Sequence, residues 1–158
     1  MNFIMLRLII TFTVIWFYVG CSSDQEMMSS DTLIFGQFYG ACSGSDCVQT
    51  FKIENNQLFE DSIDDYGQND FDFAPRDQSD YDLVSDLVGL VPSQLLDESS
   101  QTFGCPDCAD QGGLYIQIVS IDSEVINLEF RMDLDKNNVP EYLHSFIDIL
   151  TARIVLLQ

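Results

Sequence analysis

The chain has 158 residues and a formal net charge of −20, from 26 acidic residues against 6 basic ones. This length is enough for one domain with a substantial hydrophobic core. The charge argues against nucleic acid as a partner, because an acidic surface repels phosphate backbones, and it favours cationic partners or divalent cations.

Residues 1–20 have the layout of an export signal. Arg7 is their only charged residue, an apolar run follows it, and the small residue Gly20 directly precedes Cys21. The alternative is an uncleaved membrane helix from Phe3 to Val19. That run is at the short end for spanning a bilayer and it contains Arg7.

The sequence Val19-Gly20-Cys21 resembles the lipobox of bacterial lipoproteins, and the polar residues after it are similar to those of Bacteroidota lipoproteins. The resemblance implies a signal peptide over 1–20, cleavage before Cys21, and diacylglyceryl and palmitate-type acyl chains on Cys21. Cysteine suits this chemistry because its thiolate is strongly nucleophilic. Two or three acyl chains give stable anchoring, since each buried methylene contributes about 0.8 kcal/mol. We therefore expect a lipid anchor in the bacterial cell envelope, at the outer membrane or periplasmic face, and a flexible tether over 21–31.

Beyond Cys21 the chain has four cysteines in two close pairs, Cys42 with Cys47 and Cys105 with Cys108. An even number outside the cytoplasm favours disulfides, and three pairings are open. A four-cysteine zinc site is less favoured, because zinc usually takes pairs separated by two residues and the first pair is separated by four. A redox motif should open a helix after a strand, whereas the second pair precedes glycines. We predict disulfides for all four cysteines.

The part of the chain after the tether begins with three predicted strands. Residues 33–39 are β-branched and aromatic, and residues 47–53 alternate between apolar and polar side chains. Asn55-Asn56 tolerates the positive φ angles of a tight hairpin turn, and residues 57–60 form the return strand.

An acidic stretch follows the third strand. Nine acidic residues lie between Glu60 and Asp82, with Tyr66, Phe71 and Phe73 among them. Because like charges at this density oppose compaction, we predict a solvated loop over about 61–79. The alternative is a loop that collects calcium or docks a partner.

The pattern in the second half of the sequence predicts a helix, a loop, two strands and a final helix, in that order. A helical pattern covers 79–88, and residues 101–113 are rich in Gly, Asp and Pro, which predicts an irregular loop. Strands over 114–119 and 125–132 follow, joined by a turn, and a final helix begins at Val139. The element order predicts an α+β fold with a small antiparallel sheet of about five strands in two hairpins and two helices packed on one face. We expect one such domain over 32–158.

The strongest ligand-like pattern precedes the final helix. It consists of Asp133, Asp135, Asn137 and Glu141. These oxygen-bearing side chains resemble calcium loops of the EF-hand and thrombospondin type-3 kind, and the resemblance implies a calcium site. Asn138 stands where those loops have glycine, and His144 where they have the closing carboxylate. The alternative is structural: Asn138 and Glu141 form a capping box at the start of the helix.

The sequence contains no recognisable catalytic motif. His144 is the only histidine, and no nucleophile motif accompanies it. Gly112-Gly113 indicates a turn rather than a phosphate-binding loop. We therefore expect a protein that is not an enzyme.

Together these patterns predict an envelope-anchored, small acidic lipoprotein with a non-enzymatic binding or structural role. We expect it to be held to the membrane by its lipid, to contact a protein partner and to need no cofactor. One alternative is a calcium-binding module, with zinc less favoured. Another is a peptidase-inhibitor-like domain, because the hairpins, the Asp-rich turn and residues 139–143 are loosely similar to small emfourin-like inhibitors.

Overall fold

Seven strands and several helices make up the part of the chain that the computed structural model describes, which is residues 31–42, 47–63, 70–120 and 126–158. The strands are β1 (Thr32–Phe38), β2 (Val48–Glu54), β3 (Gln57–Asp61), β4 (Phe73–Pro75), β5 (Gln101–Phe103), β6 (Gly113–Ser120) and β7 (Ile126–Asp133). The α-helices are α1 (Gln78–Val84), α2 (Leu87–Leu90), α3 (Ser93–Leu96) and α4 (His144–Leu157).

Several predictions fall outside the described residues. They are the signal peptide over 1–20, the lipidation site Cys21, residues 22–30 of the tether, residues 64–69 of the predicted acidic loop, and the turn between the last two strands. Asp31, the last residue of the predicted tether, is described and is buried beside the start of β1.

The strands form one mixed sheet in the order β4-β3-β2-β1-β6-β7-β5. Neighbouring strands are antiparallel except for β5, which runs parallel to β7. The α+β class is confirmed, but the predicted antiparallel sheet of about five strands has fewer strands than the observed mixed sheet of seven. Both additional strands, β4 and β5, contain three residues each, which is too short to show an alternating pattern. The loop predicted over 101–113 therefore starts with a strand.

The β2–β3 hairpin follows its predicted turn. Asn55 and Asn56 have φ angles of 52° and 60°. Two successive positive φ angles match the twist of the flanking strands, which is why a tight hairpin selects asparagine or glycine there. Ile53 then pairs with Leu58 across the turn.

The described α-helices pack on one face of the sheet, but the helix predicted over 79–88 is divided into α1 and α2, and the short helix α3 follows it. Val84, Leu87 and Leu95, one from each of these helices, are buried in the same core as Phe35 of β1. Within the described residues, no helix is long and apolar enough to cross a bilayer.

The last helix begins later than predicted. Pro140 is extended, with φ −55° and ψ 142°, and a 3-10 helix at Glu141–Leu143 precedes α4. The Asn138 side-chain amide donates to Asp133 Oδ2 at 2.8 Å instead of capping the helix. The chain therefore turns sharply after β7 before α4 starts at His144.

The opposite face of the sheet, called the open face here, carries a smaller cluster of buried residues. Its members are Ile34, Phe38, Val48 and Tyr115, with Phe71 and Phe73 packed against them. The ring centroids of Phe71 and Tyr115 are 6.0 Å apart. Part of the stretch predicted as a solvated loop over 61–79 thus contributes a strand and two aromatic side chains to the sheet, and α1 already begins at Gln78.

Candidate functional site

Both cysteine pairs lie at one end of the sheet, which we call the disulfide end. Cys42 and Cys47 are bonded across the β1–β2 connection, with Cα atoms 5.4 Å apart. Cys105 and Cys108 are bonded in the loop after β5, with Cα atoms 5.5 Å apart. Of the three pairings that the sequence left open, the structure has the one in which both bonds are local.

Asp107 connects the two disulfide loops. One of its carboxylate oxygens accepts a hydrogen bond from the Gly40 amide at 2.7 Å. The other accepts from the Gly112 amide at 3.0 Å. Because the carboxylate binds backbone groups from both connections, it fixes the position of one disulfide loop relative to the other.

Asp133, the last residue of β7, connects the second disulfide loop to the predicted calcium turn. Its side chain is completely buried. Oδ2 accepts from the Cys105 amide at 3.0 Å and the Asn138 side chain at 2.8 Å. Oδ1 accepts from the Asp135 amide at 2.9 Å, and Gln111 adds a longer contact at 3.5 Å. One buried carboxylate thus holds segments that are far apart in sequence.

The protonation of Asp133 follows from these contacts. Burial alone raises the pKa of the carboxyl group, because the charged form loses its hydration. Hydrogen bonds from Asp135, Asn138 and Cys105 stabilise the charged form more strongly, and the pKa lies below its ordinary value of 3.8. Asp133 is therefore ionised at neutral pH.

Gly104 makes the close packing around Asp133 possible. Its φ is +73°, a conformation that favours glycine. A Cβ atom at this position would lie 2.7 Å from Asp133 Cβ and 2.9 Å from Asn138 Cβ. A side chain here would both strain the backbone and displace the turn.

The structure brings three of the four predicted calcium ligands into one turn. Asp133 is buried as described, and Asp135 Oδ1 accepts from the Asn137 amide at 3.0 Å and its side chain at 2.8 Å. Glu141 is exposed at the start of the 3-10 helix. Because N–H donors already point at the oxygens of Asp133 and Asp135, the geometry favours a structural role for this turn over calcium binding. That role differs from the predicted capping box, since the Asn138 side chain binds Asp133.

His144 also contributes to the turn. Its Nε2 atom lies 3.2 Å from the carbonyl oxygen of Val139. In the described ranges, no group of three or more His, Cys, Asp or Glu side chains could hold a metal ion.

A second feature, which the sequence analysis did not identify, is a cleft on the open face beside β5. Its volume is about 380 Å³. The described residues that line it are Ser100, Gln101, Thr102, Asn127, Glu129 and Arg131. All six are polar, and three of them alternate along β7. The signal in the sequence that could have indicated this cleft was therefore a strand with polar residues on one face.

Tyr115 lies next to this cleft. Burial raises the pKa of its phenol well above the ordinary value of 10.0, and the nearby charge of Glu129 raises it further. The hydroxyl group therefore stays protonated, and it donates to Gln117 Oε1 at 3.1 Å.

No protein-family model matches this sequence, and no curated protein is significantly similar to it.

Proposed function

We propose that this protein is a lipid-anchored, non-enzymatic binding protein of the bacterial cell envelope, and that the disulfide end is the surface that contacts its partner. The observation that carries the proposal is the position of both disulfide loops and the Asp133 turn at the end of the sheet where β1 finishes.

The direction of β1 relates this end to the anchor. Thr32 follows Cys21 by eleven residues, which can span at most about 40 Å. From Thr32 the strand runs about 20 Å to Phe38 at the disulfide end. A chain held at Cys21 therefore attaches to the sheet at the end opposite the disulfide loops, which leaves those loops accessible to a partner.

The disulfides and the charge support the same compartment and orientation. Disulfides form and persist mainly outside the cytoplasm, in envelopes and secreted proteins. The sequence that remains after residues 1–20 has 5 basic and 26 acidic residues. Such a surface is repelled by anionic lipid head groups, which keeps the domain away from the bilayer.

The disulfide end also has the rigidity that a binding surface needs. Its loops are crosslinked, and the carboxylates of Asp107 and Asp133 fix their backbone amides. Loops that are already ordered lose less conformational entropy on association. The exposed acidic residues there include Asp110 and Asp135, which favour a protein partner with a cationic surface.

The anchoring part of the proposal is tested by fractionating cells that express the full chain. We expect the wild-type protein to sediment with membranes and to enter the detergent phase, whereas Cys21→Ser is released because it lacks the acyl acceptor. Ser23→Ala, a matched change two residues away, should behave like wild type. Equal membrane retention of Cys21→Ser would contradict a lipid anchor.

The contact surface is tested by placing a photo-crosslinking amino acid at Ala109 or at Ser99. Ala109 is exposed in the second disulfide loop, and Ser99 is exposed before β5, towards the other end of the sheet. In living cells, we expect one discrete crosslinked protein from Ala109 and none from Ser99. The same product from both positions, or from Ser99 alone, would exclude the disulfide end as the contact surface.

A further inference from the structure

Arg131 lies on the open face of the sheet, two residues before the end of β7. It is paired with Tyr115 across β6 and β7. Its guanidinium carbon lies 5.6 Å from the ring centroid of Phe38 and 6.0 Å from that of Tyr115. Both rings make cation–π contacts with the Arg131 side chain, and 30% of the surface of this side chain remains exposed.

The hydrogen bonding of Arg131 differs from that of the other described cations. Each of the others donates to at least one carboxylate: Lys52 to Glu54, Arg76 to Glu60 and Asp80, Lys136 to Asp148, and Arg153 to Asp86. Within the described ranges, the guanidinium of Arg131 makes no hydrogen bond, and the nearest carboxylate atom, Glu129 Oε1, is 3.9 Å away. A guanidinium has five N–H donors. Those of Arg131 are available on a partly exposed surface.

The cleft beside Arg131 provides further hydrogen-bonding groups. Ser100 Oγ accepts from the Glu129 amide at 2.9 Å, which leaves its own hydroxyl proton to donate. Asn127 Oδ1 accepts from Gln117 at 2.9 Å, so its amide nitrogen can donate to a ligand. Thr102 adds an exposed hydroxyl group.

We propose that this cleft binds a small zwitterionic ligand, of the chemistry of a neutral α-amino acid, with its carboxylate on Arg131 and its ammonium group towards Glu129. A planar guanidinium binds a carboxylate through two parallel hydrogen bonds. The hydroxyl and amide groups of Ser100, Thr102 and Asn127 accommodate the polar remainder. The volume of about 380 Å³ lies in the range of small-ligand sites.

The net charge of the chain selects a zwitterion over an anion. The formal charge of −20 creates a potential that lowers the local concentration of anions. A ligand with no net charge does not experience this repulsion, yet it still presents a carboxylate to Arg131. None of the described residues that line the cleft belongs to a disulfide loop, so the proposal does not depend on the contact surface described above.

The test is calorimetric titration of the purified full chain, with its disulfides intact, against a panel of neutral L-amino acids and their carboxamides. The carboxamide lacks the carboxylate and is a cation, so nonspecific attraction to the acidic surface would favour it. We expect at least one amino acid to bind and its carboxamide to bind at least about tenfold more weakly, since a charge-assisted hydrogen bond is lost.

The variants separate Arg131 from general electrostatics. Arg131→Gln should abolish binding, and Arg131→Lys should weaken it at least about tenfold, because an ammonium group cannot form the bidentate pair. Arg153→Gln removes a cation of the same formal charge elsewhere and should leave affinity unchanged. Circular dichroism of each variant verifies folding. The proposal is overturned if no amino acid in the panel binds, if the carboxamides bind as well, or if a folded Arg131→Gln binds like wild type.

Discussion

Asp133 and Arg131 lie two residues apart on the same face of β7, yet their charges have opposite surroundings. Asp133 is completely buried, and N–H donors from Cys105, Asn138 and Asp135 satisfy both of its oxygens. Arg131 is partly exposed, its nearest carboxylate atom is 3.9 Å away, and a polar cleft adjoins it. A fully satisfied buried charge stabilises local structure, whereas unsatisfied donors at a surface favour binding. We therefore assign Asp133 to stability and Arg131 to recognition.

The largest expected effect is on stability at Asp133. Asp133→Asn keeps the size of the side chain but removes the charge and turns an N–H group towards existing donors. We expect the free energy of unfolding to fall by about 3 kcal/mol, measured by urea denaturation. Asp148→Asn is the matched control, since Asp148 is 61% exposed and its ion pair with Lys136 should contribute less than about 1 kcal/mol. Equal losses in both variants would contradict the assigned role of Asp133.

The contribution of the Asp133 carboxylate to the free energy of unfolding depends on pH. Its pKa in the folded protein lies below the ordinary value, so its stabilisation is complete above the unfolded pKa of about 3.9 and is lost as the pH falls through the lower folded value. Urea titrations between pH 2 and 7 should show the gap between wild type and Asp133→Asn shrinking only below about pH 4. Taking the difference cancels the repulsion among the other acidic residues. A gap that stays constant or widens in acid would refute this prediction.

Removal of the second disulfide tests whether the surroundings of Asp133 and the cleft at Arg131 are independent of each other. Replacing Cys105 and Cys108 with serine should lower the free energy of unfolding by about 2 kcal/mol, because closing a loop of this length removes little entropy from the unfolded chain. We expect Cys42→Ser with Cys47→Ser to have a similar effect. The ligand affinity of the cleft should not change in either variant, since the Arg131 side chain has its contacts within the described residues with Phe38, Tyr115 and Glu129. Loss of ligand binding in a folded variant would show that the two regions are coupled.

The smallest effects on the free energy of unfolding are expected from alanine substitutions at two glycines, and the two effects should have opposite signs. Gly104→Ala should cost about 1–2 kcal/mol, because φ is +73° and the new Cβ would crowd Asp133 and Asn138. Gly89→Ala should instead stabilise the protein by about 0.5–1 kcal/mol, since Gly89 lies in α2 with no atom near the new Cβ. Thermal unfolding of both variants tests the sign. A neutral Gly104→Ala would mean that the packing around Asp133 is looser than described.

Local signals in the sequence were sufficient for the long elements. Strand-forming composition or alternation predicted β1, β2, β6 and β7, and Asn55-Asn56 predicted the hairpin turn, because each signal depends on neighbouring residues only. β5 was missed because three residues carry no period and its pairing with β7 is parallel, between segments far apart in the chain. The break between α1 and α2 has no evident cause in the sequence.

The candidate sites were less predictable because they depend on distant contacts. Asp133 was identified as a ligand-like residue, but its partner Cys105 lies 28 positions away, and only the fold shows that its oxygens are occupied. The even number of cysteines and the expected compartment predicted disulfides, while the choice among the three pairings needed the structure, in which each bond closes its own loop. The sequence predicted that Arg131 lies in a strand. It did not indicate that the side chain makes no hydrogen bond within the described ranges. Calcium binding at the Asp133 turn stays a prediction.

The most direct test of the whole account is the intact mass of the protein purified from bacterial membranes without reducing agent. We expect the mass to lack residues 1–20, to include diacylglyceryl and acyl chains on Cys21, and to be four hydrogens below the value for free thiols, because both pairs are oxidised. An unprocessed chain with an unmodified Cys21 and four alkylatable thiols would contradict both the anchor and the oxidised binding surface.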